Sequence, residues 1–398
     1  MMAAGTAAEQ GLSVLLAEPN PKLGKKLRIT GKGRCNVTND CTVREFMEHV
    51  PRNPKFLYSA LTAFPPQAAM DFFEALGVRL KTERGRRVFP CSDSANEVAD
   101  ALSDWLNGLG VCRLKDRVLS IETAEGAVSG VVTEKETVRC RAVVLCTGGV
   151  SYPGTGSTGD GYAMAEALGH TVIPPKASLV PLVSSDDFCA ELAGFSPRNV
   201  TLTVLEDAKP IYSEMGEMLF AHFGVTGPLV LSASAHMRRF GSSKYTLMID
   251  FKPALDEGKL DERVLRDFTK YRNRDFGNAL SDLAPRSLIP VLVRQTGIPA
   301  ETKVHSVTRE QRRKLVMLLK AFPIHITGTR PVSEAIVTSG GVDVREIDPR
   351  SMQSKLVSGL YFAGELLDVD AYTGGYNLQI AWATGCCAGR ALGKDISL

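Results

Sequence analysis

The residues with chemistry to offer are spread unevenly along this sequence. The richest stretch runs from Pro19 to Asn39, PNPKLGKKLRITGKGRCNVTN, where Lys22, Lys25, Lys26, Arg28, Lys32 and Arg34 place six cations in thirteen positions without an acid among them. Gly24, Gly31 and Gly33 interleave these cations and let the backbone come close to a ligand. Such a loop holds phosphates or a delocalised anion by charge and by backbone N–H groups. The plain alternative is a solvated basic face, and the glycines tilt the choice towards a ligand. Cys35 and Cys41, with five residues between them, lie in the same region, which raises a redox-disulfide reading beside that of a single thiol, Cys35, near a cofactor. His222, in LFAHFGVTGP, is the histidine best placed for proton transfer, against the alternative of a structural imidazole between aromatics. His49, His170, His236, His305 and His325 show no metal-ligand spacing, and no Cys-x-x-Cys pair occurs, so no metal is expected.

Elements must position these groups. Ala3 to Gln10 is helix-forming, Gly11 suits its C-cap, and Ser13 to Ala17 reads as a buried parallel strand ending at Glu18. Helix, glycine, apolar strand and acid form the second half of a dinucleotide-binding βαβ unit, in which the acid bonds a ribose hydroxyl. Only 17 residues precede Glu18, so the glycine loop and first strand are expected upstream of Met1. A second such strand, from Ala142, runs out at Thr147, Gly148 and Gly149; a third, from Gly359, ends at Gly364 and Glu365. Gly374 and Gly375 then precede an apolar helix, whose N-terminus is a ready anion site. Cys386 and Cys387, in that helix, read as core packing.

The 398 residues are 44% hydrophobic and 23% charged, an ordinary globular balance that excludes disorder, collagen and a disulfide scaffold. Forty-seven Lys and Arg against 44 Asp and Glu give no global case for nucleic acid or anionic membrane as partner. Arg84, Arg86, Arg87 and the run Arg309 to Lys314 are local basic patches, and an RNA-handling role would need them on one surface. There is no membrane-spanning stretch and no signal-peptide pattern at the start, and nine scattered cysteines fit a reducing compartment, so a cytoplasmic location is expected.

Four segments, GKKLRITGKGRCNVTN at 24–39, CTGGVSYPGTGSTGDGY at 146–162, GEMLFAHFGVTGP at 216–228 and SEAIVTSGGV at 333–342 running into YFAGELLDVDAYTGGYNLQIAWATG at 361–385, resemble the BaiN/YhiN-like family of FAD-dependent oxidoreductases. The resemblance implies an α/β fold: a doubly wound, FAD-binding Rossmann-like domain from 1–175 and 335–398, an antiparallel β insert from 176–255 and 322–334, and a helical subdomain over 256–321. It implies that Glu18 binds the adenosine ribose, that Val118 meets adenine through its backbone, and that Thr147, Gly148 and Gly149 line the adenine side. Gly364 and Glu365 would hold the pyrophosphate and ribityl chain. Gly375, Asn377 and Gln379 would set a helix N-terminus at the pyrimidine edge of the flavin, with Lys25, Arg34, Cys35 and Asn36 near the isoalloxazine. His222 and Cys35 are the candidates for chemistry. A small-molecule substrate and NAD(P)H as a transient donor follow from the same resemblance, since no second glycine fingerprint announces a nicotinamide domain. Two rival readings stand beside it: a flavoprotein fold that serves only as a binding module, and a nucleic-acid-associated flavoprotein.

Overall fold

Small residues decide how the chain ends meet. In the computed structural model, which describes residues 1–396, the helix Met2–Glu9 lies against the last helix, Tyr376–Ile396. A Cβ on Gly389 would stand 2.7 Å from the Ala3 carbonyl oxygen, so this contact is made at backbone distance. The chain divides into two compact units, Met1–Ser178 with the segment from Pro331 onward, and Leu179–Arg330.

The first unit carries the parallel strands. Leu15–Ala17 pairs with Cys112–Leu114, and Val143–Leu145 with Leu360–Phe362, in register Leu360 to Val143. Leu360, Tyr361 and Phe362 are buried without exception, the pattern of a parallel strand covered on both faces. An antiparallel meander of Val118–Ala124, Ala127–Thr133 and Thr137–Arg139 adjoins them in sequence, and Val172–Ser178 pairs antiparallel with Val337–Val342. The basic loop is not all coil: Leu27–Ile29 and Thr30–Gly33 form short helical turns, and Thr38–Asn39 joins a three-stranded sheet with Arg87–Pro90 and Leu80–Glu83.

The second unit is built on seven antiparallel strands in the order Lys209–Gly216, Val200–Glu206, Tyr245–Asp250, Phe322–Thr329, Leu182–Ser184, Gly224–Thr226, Leu219–Ala221. Val200, Leu202 and Val204, then Tyr245, Leu247 and Ile249, then Phe322, Ile324 and Ile326 point inward at every second position. Helices Glu257–Lys270, Ile289–Thr296 and Arg309–Lys320 share that core. Thr308 starts the last of them with a capping box closed by Gln311, as its Thr-x-x-Gln spacing leads one to expect. The helix stops at Lys320, and Pro323 lies within a strand opposite Met248, beyond the reach of Leu182–Ser184, where a missing N–H costs no ladder bond. Among the described residues no helix is long and apolar enough to cross a membrane.

Candidate functional site

The first unit gathers four separate segments around one carboxylate. Glu365, in the turn after Leu360–Phe362, accepts a bond from Lys26 Nζ at 2.6 Å, from Ser151 Oγ at 3.0 Å and from the Thr338 backbone N–H at 2.8 Å. Lys26 also donates to Ser151 Oγ at 2.8 Å, and Thr338 Oγ1 takes the N–H groups of Val150 and Ser151. A Cβ on Gly149 would stand 2.2 Å from Thr338 Oγ1, so only glycine admits this approach. The basic loop, the glycine turn after Val143–Leu145, the strand Val337–Val342 and the Gly364–Glu365 turn are thereby locked together.

A second cluster forms where the last helix begins. Gly375, at φ 99, packs on the Thr38 carbonyl so closely that a Cβ would come within 2.3 Å of its oxygen. Thr38 Oγ1 donates to Gln379 Oε1 at 2.8 Å, and Gln379 Nε2 donates to the Phe64 carbonyl at 2.8 Å. Asn377 accepts from the Ala371 N–H at 3.0 Å and donates to the Ala371 carbonyl at 2.7 Å, which fixes the loop that leads into the helix. Both amides, expected at a ligand's edge, thus hold the helix start in place. Asn36 Oδ1, buried beside the Cβ position of Gly375, has no hydrogen-bond partner.

Glu18 ends its strand as expected and accepts from the N–H and the side-chain amide of Asn20 at 2.8 and 2.7 Å; Asn20 reaches on to the Thr155 carbonyl. Val118 opens its strand opposite Thr133. Gly148, at φ 77, faces Ser157, and Gly364, at φ 75, donates its N–H to Thr384 Oγ1 at 3.0 Å. Thr147 Oγ1 and the Tyr162 hydroxyl are buried without a partner, and burial, with the Glu365 and Asp368 carboxylates behind it, pushes the Tyr162 phenol up. Buried polar groups normally find partners, so each of these three orphans has bonding capacity that the chain itself does not meet. Asn36 and Thr147 are among the residues expected to meet FAD, and their unmet bonds fit a polar cofactor there.

The other expected residues stand further from any ligand chemistry. Arg34 is held by Glu83 and by Asp93, whose Oδ1 lies 2.8 Å from Nε, with its guanidinium over the Phe89 ring at 4.2 Å. Lys25 is exposed, while its neighbour Lys26 turns in to Glu365. Cys35 is wholly buried at φ 58, and burial pushes its thiol up to about 12 despite a bond from Thr30. Cys41 is half-buried and also raised, to about 11, first by burial and then by Glu45. His222, in the second unit, sits exposed in the two-residue turn between Leu219–Ala221 and Gly224–Thr226, its ring edge-on to Phe223 at 5.0 Å. Lys26, Ser151, Thr338, Thr38 and Tyr162 were not singled out as site residues from sequence. The signal for Lys26 and Ser151 was present, since both lie inside glycine-rich segments. Among the described residues no group of His, Cys, Asp and Glu could hold a metal ion.

Comparison with known proteins identifies relatives along the whole chain. The family model described as "HI0933-like protein Rossmann domain" matches residues 1–391. A ribosomal RNA dihydrouridine synthase of Escherichia coli is 31% identical over 98% of this chain and 94% of its own length. A 3-dehydro-bile acid delta(4,6)-reductase of Clostridium scindens is 30% identical over 95% of this chain and 92% of its own. Among solved structures, an E. coli quinol fumarate reductase aligns with a TM-score of 0.50 at 16% identity, over 100% of this chain and 68% of that one, a likeness of fold alone.

Proposed function

This chain belongs to the HI0933-like Rossmann family, and on that premise we propose that it is an FAD-dependent reductase of carbon–carbon double bonds conjugated to a carbonyl, fed transiently by NAD(P)H. The observation that supports this most is the chemistry common to two relatives of near-equal identity. Making dihydrouridine saturates the uracil double bond conjugated to a ring carbonyl. A delta(4,6)-reductase of a 3-oxo bile acid saturates bonds conjugated to its ketone. The substrates differ in size and class; the reacting unit is the same.

FAD, when bound, supplies the hydride. The chain's own groups bind and tune. Glu18 takes the adenosine ribose, and the Val118 backbone with Thr147, Gly148 and Gly149 takes the adenine side. Gly364 takes the pyrophosphate, while Glu365, its oxygens already engaged by Lys26, Ser151 and Thr338, orders the turn around it. Asn36 Oδ1, buried and unmet, would accept a hydrogen bond from the bound flavin. The dipole at the start of Tyr376–Ile396 would favour negative charge on the flavin ring. Lys25, exposed, and Arg34, neutralised by Glu83 and Asp93, contribute little field to it. Cys35, buried and held as a thiol, packs rather than reacts. His222 is the proton donor offered by the second unit.

The test is anaerobic. Protein loaded with FAD and reduced by NADPH is mixed separately with 2-cyclohexenone, a 3-oxo-4-ene steroid and a uridine-rich RNA, and the return of the oxidised flavin band is followed. Reoxidation by at least one of them without oxygen supports the reading. Reoxidation by oxygen alone, with peroxide released, sinks it in favour of an oxidase. His222→Gln should slow reoxidation by the preferred acceptor and leave the flavin spectrum unchanged.

A further inference from the structure

The near-neutral total charge conceals a strong local imbalance. Residues 263–320 carry thirteen Lys and Arg against five Asp and Glu, while the rest of the chain carries thirty-four against thirty-nine. Six of the thirteen are spoken for: Arg263, Lys270, Arg294, Lys303, Arg312 and Lys320 each meet a carboxylate. Arg266, Arg272, Arg286, Arg309, Arg313 and Lys314 are exposed and meet none among the described residues. Arg274 is exposed too and lies over the Tyr271 ring at 4.4 Å. Seven solvated cations against so few acids make a field selective for polyanions.

The geometry gathers part of this charge into one groove. The stretch after Glu257–Lys270 turns back and pairs with the residues before Arg309–Lys320: His305 N–H donates to the Arg272 carbonyl at 3.3 Å, Val304 N–H to the Arg274 carbonyl at 3.1 Å, and Asp275 bridges Lys303. Beside this ladder lies a groove of about 710 Å³ lined by Asn273, Arg274, Asn278, Ser281 and Arg286, with the Asp275–Lys303 ion pair also in its wall. It opens at Ile289 and Pro290, the start of the helix Ile289–Thr296, and Lys314 approaches Gly297 just past that helix's other end. Eight residues of helix span about 12 Å. The groove and the basic run at Arg309 to Lys314 therefore stand a short helix apart, a separation of about two nucleotides.

We infer that this face of the second unit docks single-stranded RNA. The phosphates lie against Arg272, Arg274 and Arg286, and Asn273, Asn278 and Ser281 supply the short donors and acceptors that suit ribose 2′-hydroxyls. The inference rests on the reductase reading, in which the uracil ring is one of the conjugated acceptors, and it narrows the substrate class to RNA.

The experiment titrates the full-length protein into a fluorescein-labelled, uridine-rich, unstructured RNA, followed by anisotropy over a series of KCl concentrations. The triple variant Arg272→Ala, Arg274→Ala, Arg286→Ala should bind at least tenfold more weakly. Its plot of log affinity against log salt should flatten by about two, at ~0.7 for each single-strand phosphate that is no longer neutralised. Arg139→Ala with Arg141→Ala, exposed in the first unit, should change neither. If the triple variant melts early, Arg286→Glu alone carries the test, with an expected loss of at least threefold. Wild-type binding that is absent, or unchanged in these variants, overturns the inference, as does equal displacement of the RNA by poly-glutamate, which would assign the face to an acidic protein. Failure of the premise looks different: a protein that binds RNA through this groove yet reoxidises with no conjugated acceptor loses the reductase reading and keeps the docking face.

Discussion

Two polar clusters of the first unit contain much the same ingredients and differ in what they leave over. His170 Nε2 lies 2.8 Å from Ser354 Oγ, and its Nδ1 lies 3.1 Å from Glu346 Oε2, spacings that match a serine–histidine–carboxylate catalytic triad. Yet the imidazole is fully buried, Ser354 Oγ also takes the N–H groups of Leu356 and Val357, and Glu346 takes the N–H and the hydroxyl of Thr171. Every polar atom there is spent within the chain. Around Gly149, Glu365 and Gly375 the bonding is just as dense, but Asn36 Oδ1, Thr147 Oγ1 and the Tyr162 hydroxyl remain unmet in the same unit. Proximity alone does not distinguish a site from a brace; unmet buried hydrogen bonds do.

The largest expected effect tests the helix start. Gly375→Ala would force a Cβ onto the Thr38 backbone at positive φ, so a loss of about 3 kcal/mol is expected. Purified protein should be colourless, and full flavin retention would remove Gly375 from the site. Next comes Lys26→Met, which leaves the partly buried Glu365 without its cation. Destabilisation of about 1–3 kcal/mol, read by urea melts, should come with at least tenfold weaker FAD binding. A stability loss with FAD affinity intact would turn this cluster into a second brace. Ser354→Ala should cost about 1–2 kcal/mol and leave flavin spectrum and turnover untouched. Abolished turnover would erase the contrast between the two regions.

The smallest effect is one of pH. Burial lowers the His170 pKa, against the opposing pull of Glu346. The unfolded chain therefore binds this proton more readily than the folded one. Stability from the neutral ring is present above the unfolded value of about 6.5 and declines as pH falls through it towards the lower folded value, by at most ~1.4 kcal/mol per pH unit. Chemical melts from pH 7 to 5 should show that slope, and His170→Asn should reduce it.

How much of this was legible in the sequence depends on the range over which each signal acts. The parallel strands declared themselves through Leu360, Tyr361 and Phe362, and the antiparallel unit through the alternation of Val200, Leu202 and Val204. Glu18, Gly149, Glu365 and Gly375 stood out because a strand end followed by glycine is a local pattern. Sequence could not decide between Lys25 and Lys26, since only the arrival of Ser151 and Glu365 from distant segments shows which neighbour turns inward. Asn377 and Gln379 were visible as residues, but their bonds to Ala371, Thr38 and Phe64 are tertiary. The basic groove escaped for a related reason. The summed charge averages it away, and its walls meet only when 272–275 folds back on 303–305.

The order of the two units along the chain has a consequence for biosynthesis. Leu179–Arg330 is continuous and can fold as soon as it leaves the ribosome, whereas the first unit is interrupted by it. The helix Met2–Glu9 is made long before its partner, and must wait for Tyr376–Ile396. At 5–20 residues per second, the roughly 370 residues between Glu9 and that helix take on the order of 20–70 s. Closing so long a loop adds little to the final free energy, since each doubling of its length costs about 0.6 kcal/mol. The burden is temporal. For that interval the apolar face awaiting the last helix, with Met2, Ala3 and Ala7 on it, is open to chaperones and to aggregation.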